Sequence, residues 1–183
     1  HRTFQEFLAA RHLLAKREIA AKRIGEKLDD PAWREPLLLA LGFVMIHWGR
    51  ESQIRLLTEV LAIDGQDALI PRATFLLTDA LLEIHEVPTE VVEQIVTQLL
   101  NSYSISMEQI QALGLRERIE QMFIRLRQCS QIDVVNHSLA DAIRRPGEKR
   151  DLTFAVANIV RQTNWYTDEI VETLMLAVKR DSS

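Results

Sequence analysis

The amino-acid sequence predicts an all-α protein, with about nine helices arranged in antiparallel pairs. Three observations lead there. Apolar residues recur at helical spacing almost throughout, and no segment alternates with period two for long enough to make a strand. Only 6 Gly and 5 Pro occur in 183 residues, too few for the many tight turns of an all-β domain. Hydrophobic residues make up 47% and charged residues 26%, which is enough to bury a core and excludes disorder by composition.

The first segment, about 3–23, carries Phe4, Phe7, Leu8 and Leu14 as its apolar side. Its polar side is basic. Arg2, Arg11, Lys16, Arg17, Lys22, Arg23 and Lys27 face only Glu6, Glu18 and Glu26, a net +4 over the first 27 residues, so the remainder carries −8. Long basic side chains ordinarily lie over apolar surface with their heads in water. The same row, with Arg11, Lys16 and Arg17 foremost, is also a candidate docking surface for an acidic partner.

Asp29 and Asp30 then lead into Pro31, a helix start with Asp30 as cap and Pro31 at the first helical position. Pro36 falls in the second turn and predicts a kink or a restart there. Leu37, Leu38, Leu39, Leu41, Phe43, Val44, Met45 and Ile46 make the following run apolar on most sides, so burial on more than one side is expected. Gly49 is expected to end it as a left-handed cap.

A shorter helix over 51–63 turns Ile54, Leu57, Val60 and Leu61 inward and closes at Asp64 and Gly65. The span 70–85 aligns Ala73, Leu77, Ala80, Leu81 and Ile84. Pro88 and Thr89 restart the chain with Thr89 as cap, and Val91, Val92, Ile95, Val96, Leu99 and Leu100 form a stripe running to Asn101.

Ser106, Met107, Glu108 and Gln109 fit a capping box. The helix after it is expected to bend at Gly114 and run through Ile119, Met122, Phe123 and Leu126. Ile132, Val135, Leu139, Ala142 and Ile143 mark the next helix, followed by a basic turn of Arg144, Arg145, Pro146, Gly147, Glu148, Lys149 and Arg150. Asp151 caps a helix carrying Phe154, Ala155, Ile159 and Val160. Thr167, Asp168 and Glu169 open the last helix, which ends in Lys179 and Arg180, each charge suiting its end of the helix dipole. After the first segment the helices fall into pairs at about 31–63, 70–102, 106–145 and 151–180. A pair every ~35–45 residues is the size of a HEAT or armadillo unit, so a HEAT-like α-solenoid or a less regular superhelix is expected.

Composition also excludes function classes. A formal charge of −4 argues against a nucleic-acid binder. The lone Cys129 excludes a disulfide framework and any multi-cysteine metal site. No apolar run reaches ~18 residues, so no membrane partner is expected. No Gly-x-x-x-x-Gly-Lys-Ser/Thr phosphate cradle and no His-Glu-x-x-His occurs. His12, His47, His85 and His137 lack metal-ligand spacing. Cys129 and His137 would need spatial contact and a lowered thiol pKa to act as a nucleophile pair, and a small buried hydrophobe is the default for Cys129. Trp165 and Tyr166 pack a loop or anchor a partner. No catalytic and no metal-binding residue is assigned.

One segment is more specific. His1, Arg2, Thr3, Phe4, Gln5, Glu6, Phe7, Leu8, Ala9, Ala10 and Arg11 resemble the His-x-Ser/Thr-Phe-Gln-Glu-Phe/Tyr-Leu/Phe-Ala-Ala pattern of NACHT-domain signal-transduction NTPases. These belong to the STAND class and are relatives of the NOD-like receptors. Asp30, Pro31, Ala32, Trp33, Arg34 and Glu35, followed by Leu37, Leu38 and Leu39, are similar to a segment that bacterial members often carry soon after the first motif. Beyond about Gly49 the likeness is architectural only.

The resemblance implies that residues 1–28 form a junction helix after a winged-helix module, and that 29–183 form a helical-repeat-like regulatory region, compact with the first helix. The chain has no initiator Met and reads as a piece of a longer bacterial, cytoplasmic protein. Thr3, Phe4, Gln5, Glu6, Phe7, Leu8, Ala9, Ala10 and Arg11 would couple nucleotide state to the sensor. Phe4, Phe7 and Leu8 would pack the junction, and the two alanines would allow close helix approach. His1 would approach the phosphates of bound ADP, in the full-length protein alone. ATP or ADP and Mg are expected in the NTPase module, with no cofactor on these residues. The implied partners are that module, an unknown ligand or protein trigger, and further copies of the full-length protein. A stand-alone α-solenoid scaffold that captures a protein is the alternative.

Overall fold

A computed structural model of the chain describes residues 2–65, 70–84, 86–107, 113–144 and 152–181. Among these residues lie ten α-helices, two short 3-10 turns and no strand. The helices are α1 (Arg2–Leu14), α2 (Ala20–Gly25), α3 (Arg34–His47), α4 (Arg50–Leu61), α5 (Arg72–Glu83), α6 (Thr89–Met107), α7 (Leu113–Leu126), α8 (Ile132–Arg144), α9 (Thr153–Thr163) and α10 (Asp168–Asp181).

Their packing follows one rule. Odd-numbered helices stack in order, α1 on α3, α3 on α5, α5 on α7 and α7 on α9. Even-numbered helices do the same, α2 on α4 through to α8 on α10. The result is a two-layer stack of helix pairs, consistent with a helical superhelix. Its core runs between the layers through Leu41, Leu61, Leu81, Ile95, Leu99, Ile119, Phe123, Leu126 and Leu139, all fully buried.

Local chemistry starts and stops these helices. The Asp30 carboxylate accepts from the Ala32 amide at 2.9 Å, with Pro31 at the first position of a 3-10 turn, Pro31–Trp33. That turn resets the register, so α3 begins at Arg34 and Pro36 lies in its first turn, where a missing N–H costs nothing. The predicted restart is therefore real and falls two residues before the proline. Asn164 takes the left-handed conformation that closes α9, and the Trp165 amide reaches back to the Val160 carbonyl at 2.9 Å. Thr167 Oγ accepts from the Ile170 amide at 3.4 Å, at the start of α10.

Longer-range polar contacts tie neighbouring pairs. Asp64 sits beyond α4 and caps α5, accepting from the Ala73 and Thr74 amides at 2.9 and 2.7 Å and from the Thr74 hydroxyl at 2.8 Å. The Gln131 side chain donates to the Val87 carbonyl at 2.7 Å and accepts from its amide at 3.0 Å, joining two loops as a strand partner would. The nearly buried Asp79 carboxylate of α5 receives Arg34 of α3 at 3.2 Å and Arg125 of α7 at 2.7 Å, bridging three helices of the odd layer. Arg72 and Asp29 form a further pair.

Several expectations are corrected. The first segment is not one helix. It breaks at Ala15 and Lys16, passes through a 3-10 turn, Arg17–Ile19, and turns back as α2. Ala20 and Ile24 are buried there and α2 lies on α4, so tertiary contact draws the chain back and makes a further pair. Gly49 is extended, with φ −67 and ψ 152, and precedes α4. The carbonyls at the end of α3 are met instead by Gln53 Nε2, which donates to Met45 O at 3.0 Å and Trp48 O at 2.8 Å. Thr89 is the first helical residue of α6, and the Pro88 carbonyl before it accepts from the Val91 amide at 2.9 Å. That helix runs on to Met107, so Ser106 is interior to it. Its hydroxyl donates back to the Tyr103 carbonyl at 2.6 Å, the habit of a serine inside a helix rather than at its start. Gly114 lies in the first turn of α7 and bends nothing. His1, His85, Glu108, Gln109, the turn 145–150 and the Asp151 cap lie outside the described residues.

Candidate functional site

Helix α1 carries two apolar stripes. Ala10, Leu13 and Leu14 are buried, and through them α1 lies along α3. Phe4, Phe7 and Leu8, spaced i, i+3 and i+4, face outward and are 61%, 45% and 50% exposed. The sequence grouped these three with Leu14 as one apolar side; in the structure Leu14 is buried and the three are left on the outer side. Of the motif, Thr3, Gln5 and Arg11 are exposed, Glu6 and Ala9 are half-buried, and Ala10 alone is fully covered.

The basic row is partly occupied. The Arg11 guanidinium lies 4.7 Å from the centre of the Phe43 ring, Arg17 lies 4.5 Å from Trp48, and the Lys27 ammonium lies 4.6 Å from Trp33. Arg23 donates to the His12 carbonyl at 2.7 Å. Each exposed cation–ring contact is worth about 0.5–1 kcal/mol, so these cations help hold the first pair on α3 while their outer sides stay in water. Lys16, exposed at the break after α1, lies over none of these rings.

Beside the outward stripe lies a groove of about 570 Å³ between α1, α3 and α5. Leu38, Leu39, Gly42, Phe43 and Ile46 of α3 form its floor, Phe7 and Arg11 one wall, and Ala80, Glu83 and Ile84 the other. As expected, α3 is buried on more than one side, by α1 and by α5. Between them Leu39 is exposed and Ile46 is 77% exposed. In the sequence this groove is marked only by Gly42, in the middle of a largely apolar helix.

The other singled-out residues come apart. Cys129 is buried and burial pushes its thiol up, the opposite of a poised nucleophile. His137 faces elsewhere, its Nδ1 3.2 Å from Glu169 of α10, and Arg144 reaches the same carboxylate oxygen at 3.1 Å. Trp165 is buried, donating from Nε1 to Asn136 at 2.9 Å and meeting the Phe123 ring edge-on, whereas Tyr166 is exposed. Tyr103 donates to Glu120 at 2.7 Å. Burial first, then that bond, pushes its phenol well above the ordinary value.

Among the described residues no group of three His, Cys, Asp or Glu is placed to hold a metal ion, and no helix is long and apolar enough to cross a membrane. No family model matches the chain, and neither does any curated protein or solved structure.

Proposed function

We propose that this chain is a regulatory and sensing region of a NACHT-type STAND signalling NTPase, and that α1 docks it on the nucleotide-binding module. The outward stripe of Phe4, Phe7 and Leu8 carries the reading, because it lies within the motif that resembles that family. An apolar stripe of this kind marks a surface that a partner covers. The basic residues beside it, Arg11, Lys16 and Arg17, suit an acidic rim on that partner. In this reading nucleotide and Mg are held by the module, and His1 reaches the nucleotide only when the module is present. A ligand or protein trigger shifts the population from a docked, closed state to an open, oligomerising one, and the shift requires contacts that differ between the two states.

The test uses the full-length protein with Phe4→Ser and Leu8→Ser together, and separately with Lys16→Glu, which disturbs no ring contact. Both are expected to raise basal nucleotide hydrolysis and assembly, the double variant more. Unaltered hydrolysis and assembly in both would remove the docking role and leave the stand-alone scaffold as the better reading.

A further inference from the structure

The groove over α3 has a feature that the packing of this chain does not require. Gly42 sits in the interior of a 14-residue helix, where glycine weakens the helix. Gly25 and Gly65 have local reasons, and Gly49 and Gly114, which also meet no atom, lie at helix starts rather than in a helix interior. A Cβ on Gly25 would come within 2.9 Å of Ile63 Cδ1, and Gly65 has φ +68. At Gly42 a Cβ would meet nothing within 4 Å, and the backbone is ordinary helix. The missing side chain instead keeps the floor of the groove low between Leu39 and Ile46, both exposed. A local rule broken without gain to the fold is the mark of a functional surface.

The walls differ in sign. Arg11 stands on the α1 side, its guanidinium against Phe43. Glu83 stands on the α5 side, exposed and without an ion pair among the described residues. Glu35, also at the groove, is already paired with Arg34 at 2.8 Å. An apolar floor between one cationic and one anionic wall matches an amphipathic helix, with its apolar face down and opposite charges on its flanks.

We propose that the groove of α1, α3 and α5 takes an amphipathic helix of a partner protein, seated over Gly42, with an acidic residue toward Arg11 and a basic residue toward Glu83. The floor belongs to α3 and one wall to α5, while the other wall shares Phe7 and Arg11 with the proposed docking side of α1. The two readings are therefore separated by the outer residues Phe4 and Leu8, which do not line the groove.

The experiment is a display selection on this chain. The library holds amphipathic helices of about 16 residues, roughly 24 Å long, with randomised flanks, counter-selected on Gly42→Leu. Enriched helices are expected to carry acid on one flank and base on the other, to weaken about tenfold or more on Gly42→Leu, and to protect residues 38–46 from hydrogen exchange. Selection on the Arg11→Glu, Glu83→Lys double variant should return the flanks reversed. Binding should survive Phe4→Ser with Leu8→Ser, which separates this groove from the docking stripe. Thermal melting of Gly42→Leu, expected at or above the parent, excludes misfolding as the cause of lost binding. No enriched helix, enrichment without the charge pattern, indifference to Gly42→Leu, or protection on another face would each overturn the proposal. So would binding only of a small apolar dye.

Discussion

The middle of the stack and its two ends are built to different standards. From α5 to α8, no large hydrophobic side chain among the described residues is exposed. At one end Phe4, Phe7, Leu8, Leu39 and Ile46 are exposed, and at the other Phe154, Met175, Leu176 and Val178. In a one-dimensional stack each pair is covered by the pair on either side, and an end pair has one neighbour fewer, whereas Leu39 and Ile46 of α3 are exposed between two flanking neighbours, α1 and α5. The contrast separates two roles for the same residue types. Leu and Phe in the middle are buried and hold the fold, whereas several at the first end stay exposed.

The largest expected effect tests the middle. Phe123 is fully buried and meets Trp165 edge-on, so Phe123→Ala should cost about 3–5 kcal/mol in urea unfolding. Leu8→Ser, half exposed at the first end, should change stability by no more than about 0.5 kcal/mol. Equal losses at the two sites would erase the contrast.

The polar joints come next. Asp64→Ala removes three bonds that cap α5 and should cost about 1–2 kcal/mol, seen as a lower urea midpoint at unchanged slope. A change in slope would mean that α5 had already frayed in the native state.

The middle also predicts a pH limb. The folded-state pKa of Tyr103 is raised above its ordinary value of 10.0. Its contribution is therefore fully present below about pH 10 and is lost as pH rises through that value toward the folded one, because the unfolded chain gives up the proton first. Melting temperature should fall across that window, and Tyr103→Phe should flatten part of the fall.

The smallest effect has the opposite sign. Gly42→Ala should stabilise by roughly 0.5–1 kcal/mol, since the new methyl group meets no atom and the helix gains propensity. Gly25→Ala should show less gain, because Ile63 would have to move aside. Thermal melting of the two variants side by side compares a glycine that the fold uses with one that it does not.

How far the sequence could be read follows from the range of each interaction. Asp30 with Pro31, Thr167, and the stripes of α5, α6 and α8 were legible, because a cap and an i, i+4 stripe involve residues within one or two turns, whereas on α9 Phe154 turned outward. The Asp64 cap was not, since its partners Ala73 and Thr74 lie nine and ten residues on, across a loop. Gln53 displaced Gly49 as the closure of α3 for a similar reason, because its amide reaches back over the turn. In the candidate site, the resemblance of residues 3–11 rests on residue identity alone, and the direction of the phenylalanines was not legible in it.

By itself the sequence determined the all-α class, the pairing period and most helix starts, since these rest on backbone hydrogen bonding and local periodicity. Only the tertiary structure decided which of the two apolar stripes on α1 is buried, where the first segment folds back as α2, and that α3 keeps an open side. Those choices depend on which surface fits against α3 and α4. A helix with apolar residues on two sides carries no local mark of which one its neighbour will cover.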